Sequence, residues 1–80
     1  MVISKEQCRA GRALLGWTQD RLATEAAVSK KTLTDFEAGN RIPYGRTIAD
    51  IWRALDAAGI QFIPENGGGV GVRLKEPKRD

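Results

Sequence analysis

The chain has 80 residues, 41% of them hydrophobic, and a net charge of +3 at pH 7. A chain of this length forms one small domain with a modest core, which argues against a deep enzyme pocket, and the small positive charge permits a nucleic-acid partner without requiring one. The single cysteine, Cys8, excludes an internal disulfide, and no stretch resembles a signal peptide or an apolar membrane span. We therefore expect a cytoplasmic, reduced protein with no membrane partner.

The first two predicted helices lie in the N-terminal third of the chain. Ser4 and Gln7 have the spacing of a capping box, and apolar or small residues then recur at helical spacing, which predicts a helix over about residues 5–15. Thr18 is a good N-cap, and the apolar stripe that follows it predicts a second helix near residues 18–25.

A third helix begins at Ser29, another N-cap residue, and Gly39 ends it, which places the helix over about residues 29–37. Its first turn contains Lys30 and Lys31, although the partial positive charge of a helix N-terminus is unfavourable for cations. An anion close to this end of the helix would relieve the repulsion. The sequence therefore predicts a negatively charged partner here.

The rest of the chain predicts one more helix and a pair of strands. Thr47 and Asp50 form a second capping-box pattern, and an apolar stripe continues from there to Gly59, which predicts a fourth helix. The segments IQFI (60–63) and VGVRLK (70–75) are joined by a Gly-rich stretch, which predicts a β-hairpin. A phosphate-binding loop at these glycines is disfavoured because neither a helix nor a Lys-Ser/Thr pair follows them.

Residues 16–43, GWTQDRLATEAAVSKKTLTDFEAGNRIP, resemble the lambda-repressor-like (Cro-type, Xre) helix-turn-helix family. The family's order of Thr/Ser-Gln, Leu-Ala, a Gly-hydrophobic-Ser/Thr turn, a short recognition helix, Glu-x-Gly and Pro is matched in spacing, and the similarity covers about residues 8–58. One departure is Ala27, where the family has Gly, and an alanine at positive φ costs of order 1 kcal/mol. The resemblance implies a mainly α fold, a four- to five-helix lambda-repressor-like helix-turn-helix domain, here with a short C-terminal β-hairpin.

The expected organisation is a helix-turn-helix DNA-binding domain over residues 1–59, C-terminal strands over residues 60–75 and a frayed tail over residues 76–80. Because an isolated two-stranded hairpin is marginal in water, we expect the strands to pair with those of a second subunit. The side chains expected at that dimer interface are Phe62, Val70, Val72 and Leu74. Alternatively, the hairpin folds back on its own helices and the fourth helix carries dimerisation.

The resemblance also implies a DNA-binding surface, in which the second helix crosses the DNA backbone and the N-terminal residues of the third enter the major groove. The expected base contacts are Ser29, Lys30, Lys31, Thr34 and Asp35. The expected phosphate contacts are Thr18, Gln19, Asn40, Arg41 and Arg46. Gln19 is also expected to brace the third helix, and Arg12 and Glu37 to form a structural ion pair between the first and third helices. Asp35 either accepts a hydrogen bond from a cytosine amino group or opposes nearby phosphates, and both alternatives stay open.

These features predict a sequence-specific DNA-binding transcriptional regulator that acts as a homodimer on a near-palindromic operator in double-stranded DNA. The alternative is an antitoxin that neutralises a toxin protein and autoregulates its operon, which adds a protein partner. An enzyme is disfavoured because no paired carboxylates, metal ligands or nucleophile–base set can be assembled, and no cofactor or metal is expected. Trp17, Trp52 and Cys8 are assigned to the core rather than to base stacking or catalysis.

Overall fold

The structure, a computed structural model, describes residues 2–77 and contains within them four helices followed by a two-stranded antiparallel sheet. The elements are α1 (Lys5–Leu15), α2 (Gln19–Ala26), α3 (Lys30–Ala38), α4 (Gly45–Ala57), β1 (Ile60–Ile63) and β2 (Gly71–Leu74). The prediction of a mainly helical fold with a short C-terminal hairpin is confirmed. No helix among the described residues is long and apolar enough to cross a membrane. Of the tail expected to fray, residues 78–80 lie outside the described residues.

Side chains cap the N-termini of the first three helices, as the sequence predicts. At α1 the capping box is complete, because Ser4 Oγ accepts a hydrogen bond from the Gln7 backbone N–H at 3.0 Å and Gln7 Oε1 accepts one from the Ser4 N–H at 2.9 Å. Thr18 caps α2 and Ser29 caps α3, each through its hydroxyl oxygen. These caps satisfy backbone donors that a helix cannot pair internally.

The start of α4 differs from the prediction. The helix begins at Gly45, so the capping box predicted at Thr47 and Asp50 is wrong. Tyr44 precedes the helix with an extended backbone (φ −58°, ψ 151°), and its carbonyl already accepts a helical hydrogen bond of 3.1 Å. Asp50 forms an ion pair with Arg53 at 2.8 Å instead. The helix therefore starts one residue after Tyr44, the Tyr44 carbonyl accepts its first hydrogen bond, and no side chain caps its N-terminus.

Each of the helices α1, α2 and α3 is followed by a C-cap residue in the left-handed conformation. These residues are Gly16, Ala27 and Gly39, with φ of 69°, 57° and 78°. At the end of α2 the Ala27 N–H donates to the Thr24 carbonyl at 3.2 Å, and the Val28 N–H donates to the Ala23 carbonyl at 3.0 Å. This reversal leaves only residues 27–29 between α2 and α3. The positive φ expected for the alanine in this turn is thus present.

The hydrophobic core lies between the four helices and β1. Its buried apolar side chains are Ile3, Cys8, Leu22, Ala23, Ala26, Leu33, Phe36, Ile48, Ile51, Leu55, Ile60 and Phe62. Ile60 and Phe62 come from β1, so the hairpin and the helices share one core. Cys8 is fully buried, which confirms it as a core residue, while Trp17 and Trp52 are partly buried and pack against the core from outside.

The hairpin folds back on its own helices. Ile60 lies opposite Leu74 and Phe62 opposite Val72 in the antiparallel ladder. Val72 and Leu74 pack, partly buried, against the core of their own chain. The ladder begins one residue after Val70, which is exposed, so the predicted inclusion of Val70 in the strand is wrong. The Gly-rich connection between β1 and β2 therefore extends to Val70, one residue further than the alternating pattern of residues 70–75 predicted.

A single side chain of α1 attaches this helix to both strands. The Gln7 amide nitrogen Nε2 donates to the carbonyls of Ile63, at 3.4 Å, and Gly71, at 3.0 Å. The oxygen of the same amide closes the capping box at Ser4. Gln7 is buried, and its amide therefore satisfies carbonyl groups that packing removes from water.

Candidate nucleic-acid interface

Helix α3 has one buried and one exposed face. Leu33, Phe36 and Glu37 point into the protein, while Lys31 and Thr34 are exposed to solvent. Residues three and four positions apart share a helix face, so this alternation follows directly from the sequence. The outward face carries ammonium and hydroxyl groups, which can donate hydrogen bonds to a partner.

The buried face of α3 is fixed by a carboxylate. Glu37 is 2% exposed in its side chain and accepts hydrogen bonds from Arg12 Nε at 2.8 Å and Arg12 Nη2 at 2.6 Å, a bidentate pair. It also accepts from Gln19 Nε2 at 3.0 Å and from Cys8 Sγ at 3.1 Å. Arg12 Nη1 donates further to the Trp17 carbonyl at 3.0 Å. Among residues 2–77, no buried side-chain polar atom lacks a partner.

The charges in this cluster are stabilised by one another. Burial raises the pKa of Glu37, but hydrogen bonds from Arg12, Gln19 and Cys8 outweigh burial and hold the pKa below its ordinary value. The same hydrogen bond to Glu37 raises the pKa of Arg12, against the opposing effect of burial. Burial, followed by the hydrogen bond to Glu37, raises the pKa of the Cys8 thiol. A raised pKa favours the neutral thiol form of Cys8.

Gln19 extends the cluster from the interior to the outward face of α3. While its amide nitrogen donates to Glu37, its amide oxygen accepts a hydrogen bond from Thr34 Oγ1 at 3.3 Å. The structure therefore brings Gln19, Thr34 and Glu37 together, and the Gln19 side chain links α2 to both faces of α3. Gln19 was expected to contact a phosphate and to hold α3 in place, and these hydrogen bonds account for the second role.

The lysines at the start of α3 have carboxylate partners within the chain. Lys30 Nζ lies 3.1 Å from Asp20 Oδ1, and Lys31 Nζ lies 3.2 Å from Asp35 Oδ2. Both pairs are at the surface, where an ion pair contributes only about 0–1 kcal/mol to stability. A phosphate or a base edge can therefore replace the carboxylates at small cost. Asp20 was not predicted as a partner of Lys30, although an acidic residue in the first turn of α2 is visible in the sequence.

Three more of the expected site residues lie between α3 and the first turn of α4. Asn40, Arg41 and Arg46 are all exposed, and neither arginine forms an ion pair with any residue from 2 to 77. The adjoining N-terminus of α4 has no side-chain cap and no acidic residue in its first turn. Free backbone N–H groups and two arginines therefore adjoin one another, an arrangement suited to an anion. This helix end was not predicted, because the cap was expected three residues later, at Thr47.

The remaining expected residues are at the ends of the two connections. Thr18 and Ser29 are exposed and cap α2 and α3 through their hydroxyl oxygens.

No group of three or more His, Cys, Asp or Glu side chains in the described part of the chain is placed to hold a metal ion. No protein-family model and no curated protein matches the chain.

Proposed function

We propose that the protein is a sequence-specific DNA-binding transcriptional regulator of the lambda-repressor-like, helix-turn-helix kind. The observation that carries the proposal is the cluster around Glu37, which fixes the inner face of α3 while the opposite face stays exposed. A helix that enters the major groove needs this combination, because base readout requires side chains held in one register. The short connection between α2 and α3 supports the same function.

In this proposal the outward face of α3 reads the bases. The expected base contacts are Ser29, Lys30, Lys31, Thr34 and Asp35. Lysine donates to the O6 and N7 acceptors of guanine, and a carboxylate accepts from the cytosine amino group. The 3.2 Å pair between Lys31 and Asp35 places these two chemistries side by side. A G·C base pair opposite this part of α3 is the match that their chemistry favours.

The DNA backbone in this proposal is bound on either side of α3. The expected phosphate contacts are Thr18, Gln19, Asn40, Arg41 and Arg46. Arg41 and Arg46 have the strongest support, since both are free of ion pairs within residues 2–77 and adjoin the uncapped N-terminus of α4. Contacts of this kind set the register of a protein on DNA and carry no sequence information themselves.

We further propose that the regulator acts as a homodimer on a near-palindromic operator, with half-sites about 34 Å apart. Within residues 2–77, each strand of the hairpin has a single partner strand, so both outer edges of the sheet retain unpaired backbone groups. Pairing of one edge with the same edge of a second copy would form a continuous sheet around a two-fold axis. Sedimentation of the full chain tests this, with a dimer as the expected species.

The proposed function is tested by selecting bound sequences from a random duplex DNA library and then measuring affinity at several salt concentrations. Lys31→Ala should cost about 1–3 kcal/mol chiefly at one base pair. Arg46→Ala should weaken binding to all sequences alike and reduce the salt slope by about one. Lys75→Ala is the control, because it removes the same charge from the hairpin, where Lys75 pairs with Asp56. Failure to enrich any sequence, or equal losses in all three variants, would refute the proposal.

A further inference from the structure

A groove opens beside the C-terminal end of α3, on the side where the N-terminal segment and residues 40–44 approach each other. Its volume is about 360 Å³, which is within the range of ligand-binding clefts. Ile3, Phe36 and Ile48, which are buried core residues, form its floor. The groove therefore lies directly over the hydrophobic core, whose side chains at its floor are 3–6% exposed.

Large apolar side chains stand around this groove. Val2 is 79% exposed and Ile42 is 89% exposed, and both line the groove. Single exposed apolar residues are ordinary on protein surfaces, but a cluster of them beside an apolar groove is typical of an interaction site. Pro43 is buried between Ile42 and Tyr44, so these two side chains are held outward on either side of an anchored residue.

The polar groups of the groove are cations. Lys5 and Arg41 line it, and neither forms an ion pair with a carboxylate in the described part of the chain. No acidic residue lines the groove. By contrast, most other cations in residues 2–77 have a carboxylate partner within 4 Å. The groove thus combines an apolar surface with two cations that have no carboxylate within 4 Å among residues 2–77.

We propose that this groove binds an acidic, apolar-containing segment of another protein. An apolar side chain of the segment fills the groove over Phe36 and Ile48, and flanking carboxylates pair with Lys5 and Arg41. Because the proposed function gives Arg41 to a DNA phosphate, the segment and duplex DNA compete for that guanidinium. A second copy of this chain fits less well, because two grooves facing each other would offer no acidic residue to pair with Lys5 and Arg41 of either copy. Duplex DNA also fits less well, because the phosphate backbone would use Arg41 but gains nothing from the exposed Val2 and Ile42.

The experiment selects binders to the full-length chain from a displayed library of random peptides of about 12 residues. The enriched peptides are synthesised, and their affinities are measured by fluorescence anisotropy. We expect net negative peptides that contain large apolar residues. Their affinity should fall about tenfold or more for Ile42→Ser and for Arg41→Glu, since each removes one of the two features of the groove. Ile42 is largely solvent-exposed, so the variant should keep the thermal unfolding midpoint of the parent protein.

Matched controls are Val70→Ser and Arg73→Glu, which change an exposed apolar residue and an exposed arginine on the hairpin. Both should bind the enriched peptides within about twofold of the parent protein. Peptides without net negative charge, no enrichment at all, or equal binding to Ile42→Ser would overturn the proposal. Conversion of a dimer to a monomer by Ile42→Ser would identify a second copy as the occupant and would also overturn it. A matching loss of duplex DNA affinity in Ile42→Ser would assign the groove to DNA instead.

Discussion

Replacing Glu37 with alanine should destabilise the fold far more than replacing an exposed glutamate. The substitution removes four hydrogen bonds and leaves the Arg12 guanidinium, 19% exposed, without its carboxylate. Breaking a buried ion pair from one side costs about 3–5 kcal/mol. Because Arg12 keeps some access to water and its hydrogen bond to the Trp17 carbonyl, we expect a loss near the lower end, about 3 kcal/mol.

That loss is a large part of the whole, since a chain of this length has a free energy of unfolding of about 4–12 kcal/mol. Urea unfolding followed by tryptophan fluorescence measures it, and the melting temperature should fall by roughly 12–24 °C. Glu25→Ala is the matched control, because Glu25 forms an ion pair of 3.0 Å with Arg21 in which both side chains are about half exposed. It should cost less than about 1 kcal/mol. If Glu37→Ala and Glu25→Ala cost the same, the cluster does not hold α3 in place.

Three other outcomes test the structure. The pKa of Glu37 is lowered on folding, so its contribution to stability is present above the ordinary value of 4.5 and is lost as the pH falls through the folded value. The urea midpoint should therefore fall between neutral and acid pH, and it should fall less in Glu37→Gln than in the parent protein. Ala27→Gly should raise the melting temperature by roughly 4–8 °C, since it relieves a positive φ worth about 1 kcal/mol; an unchanged or lower temperature contradicts this. Cys8 should react with a thiol reagent only as fast as the protein opens, and rapid labelling of the native protein would contradict its burial.

Helix positions were predictable where local chemistry decides them. Ser4 and Thr18 cap helices through neighbouring backbone groups, so the sequence alone contains the whole interaction. Thr47 has the same capping pattern but does not cap a helix, because α4 begins two residues earlier, at Gly45. Val70 followed the alternation of a strand, yet pairing began one residue later. Short-range patterns thus predict the existence of an element better than its limits.

The candidate site was predictable only in part. The bidentate contact between Arg12 and Glu37 spans 25 positions, and it was expected from the family resemblance rather than from spacing. Cys8 is a further donor to Glu37, and no local signal indicates this, since the contact exists only after α1 packs against α3. The exposed group of Val2 and Ile42 also depends on packing, because the two residues are 40 positions apart in the chain and line one groove.

The amide of Gln7 makes the first turn of α1 and the hairpin open together. Separating the strands from α1 would leave a buried amide unpaired, and fraying the cap at Ser4 would release the side chain that holds the carbonyl groups of Ile63 and Gly71. The two regions lie at opposite ends of the described chain, yet their backbone amides should exchange with solvent through one shared opening event. The first turn of α1 and the hairpin should therefore open as one unit, and a substitution that breaks the Gln7 contacts with one of them should loosen the other.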